Sequence, residues 1–205
     1  MKKFILFALI SLLLTSCASS YVKISPETIN YTSSDKKDSV KVEYKYGVLQ
    51  KKYAKKEYKK GIKVIAIKVT NNSERDITVG QNLNFTKANG EAFYLLEDKD
   101  IFKPLRQNVA TYLLYLLLTP INFYTYETNQ YGQTETTSST PIGLVVGPGV
   151  TAINTITAAS ANKKFKTEIA EYNLLGKTIR TGETIHGIIG VREQGFYNIN
   201  IELKD

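Results

Sequence analysis

The stretch IGLVVGPGVTA, residues 142–152, spaces its glycines like the turn that binds a dinucleotide pyrophosphate. Such a turn also needs a following helix, a second parallel strand and an acidic residue about 20 residues further on. Glu168 falls near that distance, but the segment EIAEYNLLG that carries it is not a buried strand. We therefore expect no nucleotide and no cofactor. Gly143 and Gly147 have small-x-x-x-small spacing, which predicts the close approach of a neighbouring backbone.

Other groups that could perform catalysis are few. His186 is the only histidine, so the sequence contains neither a histidine metal cluster nor an HExxH motif. No G-x-S-x-G elbow is present, and LGKT at 175–178 lacks the upstream glycine of a phosphate-binding loop. Glu168 and Glu171 have the i, i+3 spacing of a solvated helix face. These observations predict a protein that is not an enzyme and binds no metal, with a hydrolase as the third alternative.

Cys17 is the only cysteine, and it follows the segment MKKFILFALISLLLTS. Two lysines, an apolar run of about ten residues and small residues predict a signal peptide over 1–16, because a membrane span needs about twenty residues. The residues LTSC resemble the lipobox of bacterial lipoproteins. This resemblance implies cleavage before Cys17 and acylation of its sulfur and new amine, which would anchor the chain in a lipid bilayer. The alternative is a soluble secreted protein with a chance cysteine.

The formal net charge of +8 is concentrated in one region, since residues 41–63 contain nine lysines and two glutamates. Within KKYAKKEYKK the lysines fall on one face of a helix, with tyrosines on the other. We predict contact between this stripe and anionic head groups or a partner; a merely solvated face is the alternative. Nucleic acid is not expected for an exported chain. The stripe consists of Lys51, Lys52, Lys55, Lys56, Lys59 and Lys60.

Residues 107–162 carry only two charged side chains, Glu127 and Glu135. Two helical arms, at 105–119 and from 149 onward, are predicted on either side of a polar loop, YETNQYGQTETTSST. The first arm would be about 22 Å long, which is short of the roughly 30 Å of bilayer hydrocarbon. We therefore favour packing of this hairpin on the rest of the domain or on a partner over full insertion. Three leucines are predicted to pack against Gly143 and Gly147: Leu113, Leu116 and Leu117.

The remaining sequence predicts strands. Residues 17–39 are polar and broken by Pro26, which indicates a flexible tether, and alternation of apolar residues begins at Val40. Short strands with turn signals between them predict a mainly β domain over 40–205. We expect an antiparallel, immunoglobulin-like β-sandwich of seven or eight strands, with the apolar helical hairpin inserted at about 104–172.

Several segments together are similar to a group of bacterial envelope lipoproteins that have a β-sandwich interrupted by a helical hairpin and no established activity. They are KKYAKKEYKKGIKVIAIKVTNNSERDI, YLLYLLLTP, IGLVVGPG, SANKKFKTE and GETIHGIIGV. The resemblance implies location and fold, and no catalytic residue. We expect a lipid-anchored protein, on the periplasmic side of the outer membrane because no Asp follows Cys17, that contacts a membrane or another envelope protein. The runner-up is a sandwich that binds an envelope carbohydrate or cell-wall polymer through its tyrosines.

Overall fold

The computed structural model of the protein describes residues 17–204, so the predicted signal peptide at 1–16 lies outside the described residues. The chain divides into two compact units. We call residues 17–20 together with Gln107–Ala161 the hairpin unit, and Tyr21–Arg106 together with Asn162–Asp205 the sheet unit. The fold is mixed α and β, with antiparallel sheets.

Ten strands and three α-helices are present in the described residues. The strands are β1 (Ser33–Lys37), β2 (Val40–Lys45), β3 (Lys63–Asn71), β4 (Ile77–Thr78), β5 (Leu83–Thr86), β6 (Phe123–Thr128), β7 (Thr134–Thr140), β8 (Thr178–Ile179), β9 (Thr184–Val191) and β10 (Asn200–Leu203). The helices are α1 (Lys51–Lys60), α2 (Asp98–Leu105) and α3 (Gly143–Tyr172).

The main sheet of the sheet unit has the order β1-β2-β3-β9, and every neighbouring pair is antiparallel. Strand β2 shows the alternating burial that its sequence predicts. One face of this sheet shares a core with β5, β10, β4 and β8. Those four strands pair only two by two, as β5 with β10 and β4 with β8. The structure therefore confirms antiparallel β structure, but the sheets are small and separate. A single immunoglobulin-like sandwich of seven or eight strands is not confirmed.

Two glycines of β9 permit close contacts on opposite faces of the strand. Gly190 lies opposite Val64, and a Cβ added at Gly190 would lie 2.4 Å from a side-chain carbon of Ile101 in α2. Gly187 lies opposite Ile67, on the face that joins the shared core, and a Cβ added there would lie 2.4 Å from the carbonyl oxygen of Tyr172, at the end of α3. Because no side chain fits in either space, glycine lets these segments lie directly on the strand.

Residues 21–39 are folded rather than a flexible tether, which corrects the prediction made for 17–39. Ile24 and Pro26 are buried, residues Pro26–Thr28 form a 3-10 turn, and β1 pairs along its length with β2. The polar sequence of β1 reflects its place at the edge of the sheet, where most of its side chains meet water.

The hairpin unit contains a 3-10 helix, Val109–Leu118, which we call the 3-10 arm, followed by the β6–β7 hairpin and the first part of α3. The β-hairpin replaces the polar loop expected at 126–140, since its threonines favour extended backbone. Helix α3 begins at Gly143 and includes Pro148, so it starts before residue 149, where the second arm was predicted to begin. Residues 162–172 of α3 belong to the sheet unit, so the insertion is shorter than the predicted 104–172.

The two arms meet at Gly143 and Gly147. A Cβ at Gly143 would lie 2.3 Å from the carbonyl oxygens of Leu118 and Thr119, and one at Gly147 would lie 2.7 Å from Thr119 Oγ1. The leucines predicted to fill this contact face outward instead, with exposed fractions of 52% at Leu113, 44% at Leu116 and 74% at Leu117. Buried Tyr112 and Tyr115, three residues apart as a 3-10 turn requires, take the inner positions.

Alanine substitutions in α3 test this backbone contact. We expect Gly143→Ala and Gly147→Ala to loosen the hairpin unit, because overpacking costs about 1 to 3 kcal/mol per site. Gly149→Ala is the matched control: nothing lies within 4 Å of its added Cβ, so alanine should stabilise the helix by up to about 1 kcal/mol. The rate of hydrogen exchange of the 3-10 arm amides measures how far each variant loosens or tightens the hairpin unit. Equal protection in all three variants would contradict the contact.

Candidate functional site

A buried carboxyl group on α3 holds the start of the sheet unit. Glu168 is 3% exposed, and its Oε1 accepts hydrogen bonds from the backbone N–H groups of Ile24 and Ser25 at 2.8 Å and 3.2 Å. Its Oε2 accepts a hydrogen bond from the Tyr21 hydroxyl. Both carboxyl oxygens are therefore used, which satisfies the requirement that buried polar atoms be hydrogen-bonded. We call these four residues the Glu168 clamp.

Aromatic rings surround the clamp. The Tyr21 ring packs against Tyr53 and Phe165 at centroid distances of 5.1 Å and 5.2 Å, and the Tyr53 hydroxyl donates to Asn162 Oδ1 at 3.0 Å. Burial raises the pKa of the Tyr21 hydroxyl, and the adjacent Glu168 raises it further. Tyr21 thus remains protonated and a hydrogen-bond donor at any physiological pH.

Residues 17–20 are also ordered, within the hairpin unit. The N–H of Ala18 donates to Asn154 Oδ1 at 2.5 Å, and Ser19 exchanges two hydrogen bonds with the Gln107 amide, at 3.0 Å and 2.6 Å. Cys17 itself is exposed. The residues that directly follow Cys17 are therefore held by the fold of the hairpin unit.

The hairpin unit exposes many large apolar side chains and buries several polar ones, although the polar residues of β6 and β7 are exposed as well. Fifteen of the nineteen exposed large hydrophobic residues in the described part of the chain belong to it, among them Leu117 and Val145, exposed by 74% and 77%. Polar Gln107, Thr151 and Asn154 are buried. The fifteen exposed side chains are those of Leu113, Leu114, Leu116, Leu117, Ile121, Phe123, Tyr124, Tyr126, Tyr131, Ile142, Leu144, Val145, Val146, Ile153 and Ile156.

So many exposed apolar side chains in one unit are unusual for a protein surrounded by water. A soluble protein buries apolar side chains and rarely exposes a large contiguous apolar surface unless that surface binds something. A segment in lipid directs polar side chains inward and apolar ones outward. Helix α3 is also the one helix of the described residues that is long and apolar enough to cross a membrane, and 28% of its apolar window is buried.

The predicted lysine stripe lies on helix α1. Lys51, Lys55, Lys59 and Lys60 are exposed, whereas Lys52 and Lys56 are partly buried. The Lys56 ammonium donates to the carbonyl oxygen of Arg106, just past the C-terminal end of α2, where a cation is favoured. Burial lowers the pKa of Lys56, and neighbouring Lys60, Lys52 and Arg106 lower it further. Lys56 therefore serves the fold of the sheet unit, and the exposed face of the stripe is smaller than its sequence predicts.

The sequence did not lead us to expect that Glu57 is buried and hydrogen-bonded. It is 6% exposed on the inner face of α1, and its Oε1 accepts a hydrogen bond from the Val64 N–H at 2.7 Å. Burial raises the pKa of Glu57 to about 7, against smaller opposing effects of that hydrogen bond and of Lys63. Its position on the tyrosine face of an amphipathic helix was the available signal.

The remaining sequence motifs lie apart from these groups. Gly147 and Gly149 lie inside α3, whereas a dinucleotide turn would place them in the loop before a helix. His186 lies in β9 opposite Lys68. Within residues 17–204 no group of three or more His, Cys, Asp or Glu side chains could hold a metal ion. Comparison of the chain with protein-family models, curated proteins and solved structures finds no match in any of the three.

Truncating Glu168 tests the clamp. Glu168→Ala leaves the buried N–H of Ile24 and the partly buried N–H of Ser25 and hydroxyl of Tyr21 without an acceptor, and losing a buried partner costs about 1 to 3 kcal/mol. We expect trypsin to cleave after Lys23 at least tenfold faster, because about 1.4 kcal/mol changes the open population tenfold. Glu171→Ala, an exposed position on the same helix, is the matched control and should leave the rate unchanged. Equal cleavage rates in both variants would show that the segment is held by other contacts.

The pH dependence of stability tests Glu57. Its pKa in the folded protein is above the ordinary 4.5, so between pH 4.5 and 7 the folded state binds more protons than the unfolded state. Stability should therefore fall as the pH rises through this window. Glu57→Gln cannot ionise and keeps an acceptor for Val64, so it should lose about 1 to 3 kcal/mol less than wild type between pH 5 and 8. Urea unfolding measures this, with the exposed Glu74→Gln as control; parallel pH profiles would contradict it.

Proposed function

We propose that this protein is a non-enzymatic, lipid-anchored protein of the cell envelope that contacts a membrane through its hairpin unit. The observation that carries the proposal is the apolar surface of that unit, with fifteen large hydrophobic side chains exposed while polar Gln107, Thr151 and Asn154 are buried. The acylated Cys17 would supply the anchor on the periplasmic side of the outer membrane.

The position of the anchor supports a membrane over a protein as the main partner. Ala18 and Ser19 are hydrogen-bonded to Asn154 and Gln107, so the attachment point belongs to the same unit as the apolar surface. Acyl chains that leave Cys17 would enter the bilayer beside that surface. One stretch of chain thus combines two membrane-seeking elements, which is what stable anchoring requires.

The lysine stripe would add an electrostatic contribution from the sheet unit. Four of its lysines are exposed on α1, and each lysine near an anionic surface contributes about 1 kcal/mol.

We also propose that the main sheet and the pairs β5–β10 and β4–β8 together form an immunoglobulin-like sandwich, because they share one core. Carbohydrate binding is the second candidate; exposed Phe196 and Tyr197, in the loop before β10, are where it would occur.

Flotation of protein with vesicles tests the proposed function. We expect Cys17→Ser protein, which cannot be acylated, to float with neutral phosphatidylcholine vesicles even in 1 M salt, because apolar burial is not screened. A triple variant, Leu113→Asp with Leu117→Asp and Val145→Asp, should lose at least tenfold in partitioning, since exposed charges at these positions would enter lipid. The fold should survive, because all three side chains already face outward.

A matched charge control separates the two surfaces. Lys51→Asp with Lys55→Asp and Lys59→Asp changes exposed positions of α1 and should affect binding only to anionic vesicles at low salt. Equal flotation of the hairpin triple variant and the parent would contradict the proposed function. Failure to float, together with saturable binding of envelope glycans that Phe196→Ala abolishes, would favour the carbohydrate alternative instead.

A further inference from the structure

The β6–β7 hairpin has two open edges. Among the described residues each of its strands pairs only with the other, and every residue of both strands is exposed. An isolated two-stranded hairpin is marginally stable in water. Strand edges that must stay unpaired are usually protected by lysine, proline, a bulge or a covering element. Residues 123–140 contain no lysine, arginine or proline; a bulge lies between Thr125 and Tyr126, and the two charged side chains, Glu127 and Glu135, are confined to positions beside the turn.

The hairpin is joined directly to the apolar arms. Phe123 begins β6 a few residues after the 3-10 arm, and the N–H of Gly143 donates to the carbonyl oxygen of Ile121 at 2.8 Å. If the arms lie in lipid, as the proposed function requires, the near end of the hairpin lies there as well. Hydrocarbon offers no water to open strand edges, so each edge N–H and C=O needs a partner strand.

We propose that the edges of this hairpin pair with the hairpins of other copies of this chain, so that the membrane-bound protein is a homo-oligomer. The inference rests on the proposed function. Pairing β6 of one copy with β7 of the next repeats the antiparallel contact that each copy already makes internally. Such head-to-tail pairing can continue until a ring closes and removes every edge.

The side chains of the hairpin favour a second copy as the occupant. Across the strands each aromatic ring lies opposite a small hydroxyl residue: Phe123 opposite Thr140, Tyr124 opposite Ser139 and Tyr126 opposite Thr136. A further β7 strand beside the free edge of β6 would again present serines and threonines to the aromatic side chains. Neither strand contributes a basic residue that a charged foreign partner could use, and the pair Glu127 and Glu135 lies beside the turn.

Cysteine cross-linking between two tagged copies tests the proposal. Full-length chain with Thr125→Cys in β6 is co-expressed with chain carrying a cysteine at each β7 position in turn, from 134 to 140, and membranes are oxidised. We expect disulfide-linked pairs of the two tags, with yields that alternate along β7 because paired residues share a face. Ser160→Cys, an exposed position of α3, replaces the β7 cysteine in the control and should give no comparable product.

Flotation of the same membranes in 1 M salt separates the possible failures. Chain that floats but gives no alternating cross-links would overturn the pairing and leave the proposed function standing. Chain that does not float would overturn both. Cross-linking only to a different protein, or equally to Ser160→Cys, would overturn the choice of a second copy as partner.

Discussion

The requirement that buried polar atoms be hydrogen-bonded ties the N-terminal segment to helix α3. Asn154 and Glu168 lie on that helix, about four turns apart, and both accept hydrogen bonds from backbone N–H groups of residues 18–25. In water these N–H groups could hydrogen-bond to solvent. Inside the protein, the cost of leaving them unpaired keeps the segment in place. The chain that follows Cys17 is therefore folded from its first residues, and its path is set by one helix.

Helix α3 has different neighbours along its length. Its first nineteen residues belong to the hairpin unit, where large aliphatic side chains such as Val145 and Ile153 are exposed. Its last eleven belong to the sheet unit, where Phe165 and Ile169 are buried. The change coincides with Lys163 and Lys164, the first charged residues after the uncharged stretch. A single helix thus combines a part suited to an apolar environment with a part suited to a water-soluble core.

Local patterns in the sequence predicted much of the sheet unit. Alternation predicted β2, and lysines at helical spacing predicted α1, because both patterns record which face of an element is buried. The prediction that Glu168 lies on a solvated helix face was wrong, because Glu168 is buried and its hydrogen-bond partners are more than 140 residues away in sequence, beyond the reach of a local pattern. Leu113, Leu116 and Leu117 were predicted to lie inside and are exposed, because the 3-10 arm turns Tyr112 and Tyr115, three residues apart, toward the interior instead. The spacing of Gly143 and Gly147 predicted the close approach of a neighbouring backbone. It did not indicate that this backbone is the end of a 3-10 helix.

The exposed apolar side chains of the hairpin unit have a large energetic cost in water. Complete burial of one large aliphatic or aromatic side chain contributes about 1.5 to 3 kcal/mol. Fifteen such side chains, each on the order of half exposed, therefore forgo roughly 10 to 20 kcal/mol in water. That is comparable to the 5 to 15 kcal/mol by which a whole domain is usually stable. In the proposed membrane-bound state a bilayer would recover this free energy without ordering a partner's side chains, but it could not hydrogen-bond the open edges of β6 and β7. Under that proposal the aliphatic surface and the strand edges would have different partners, lipid for the first and another strand for the second.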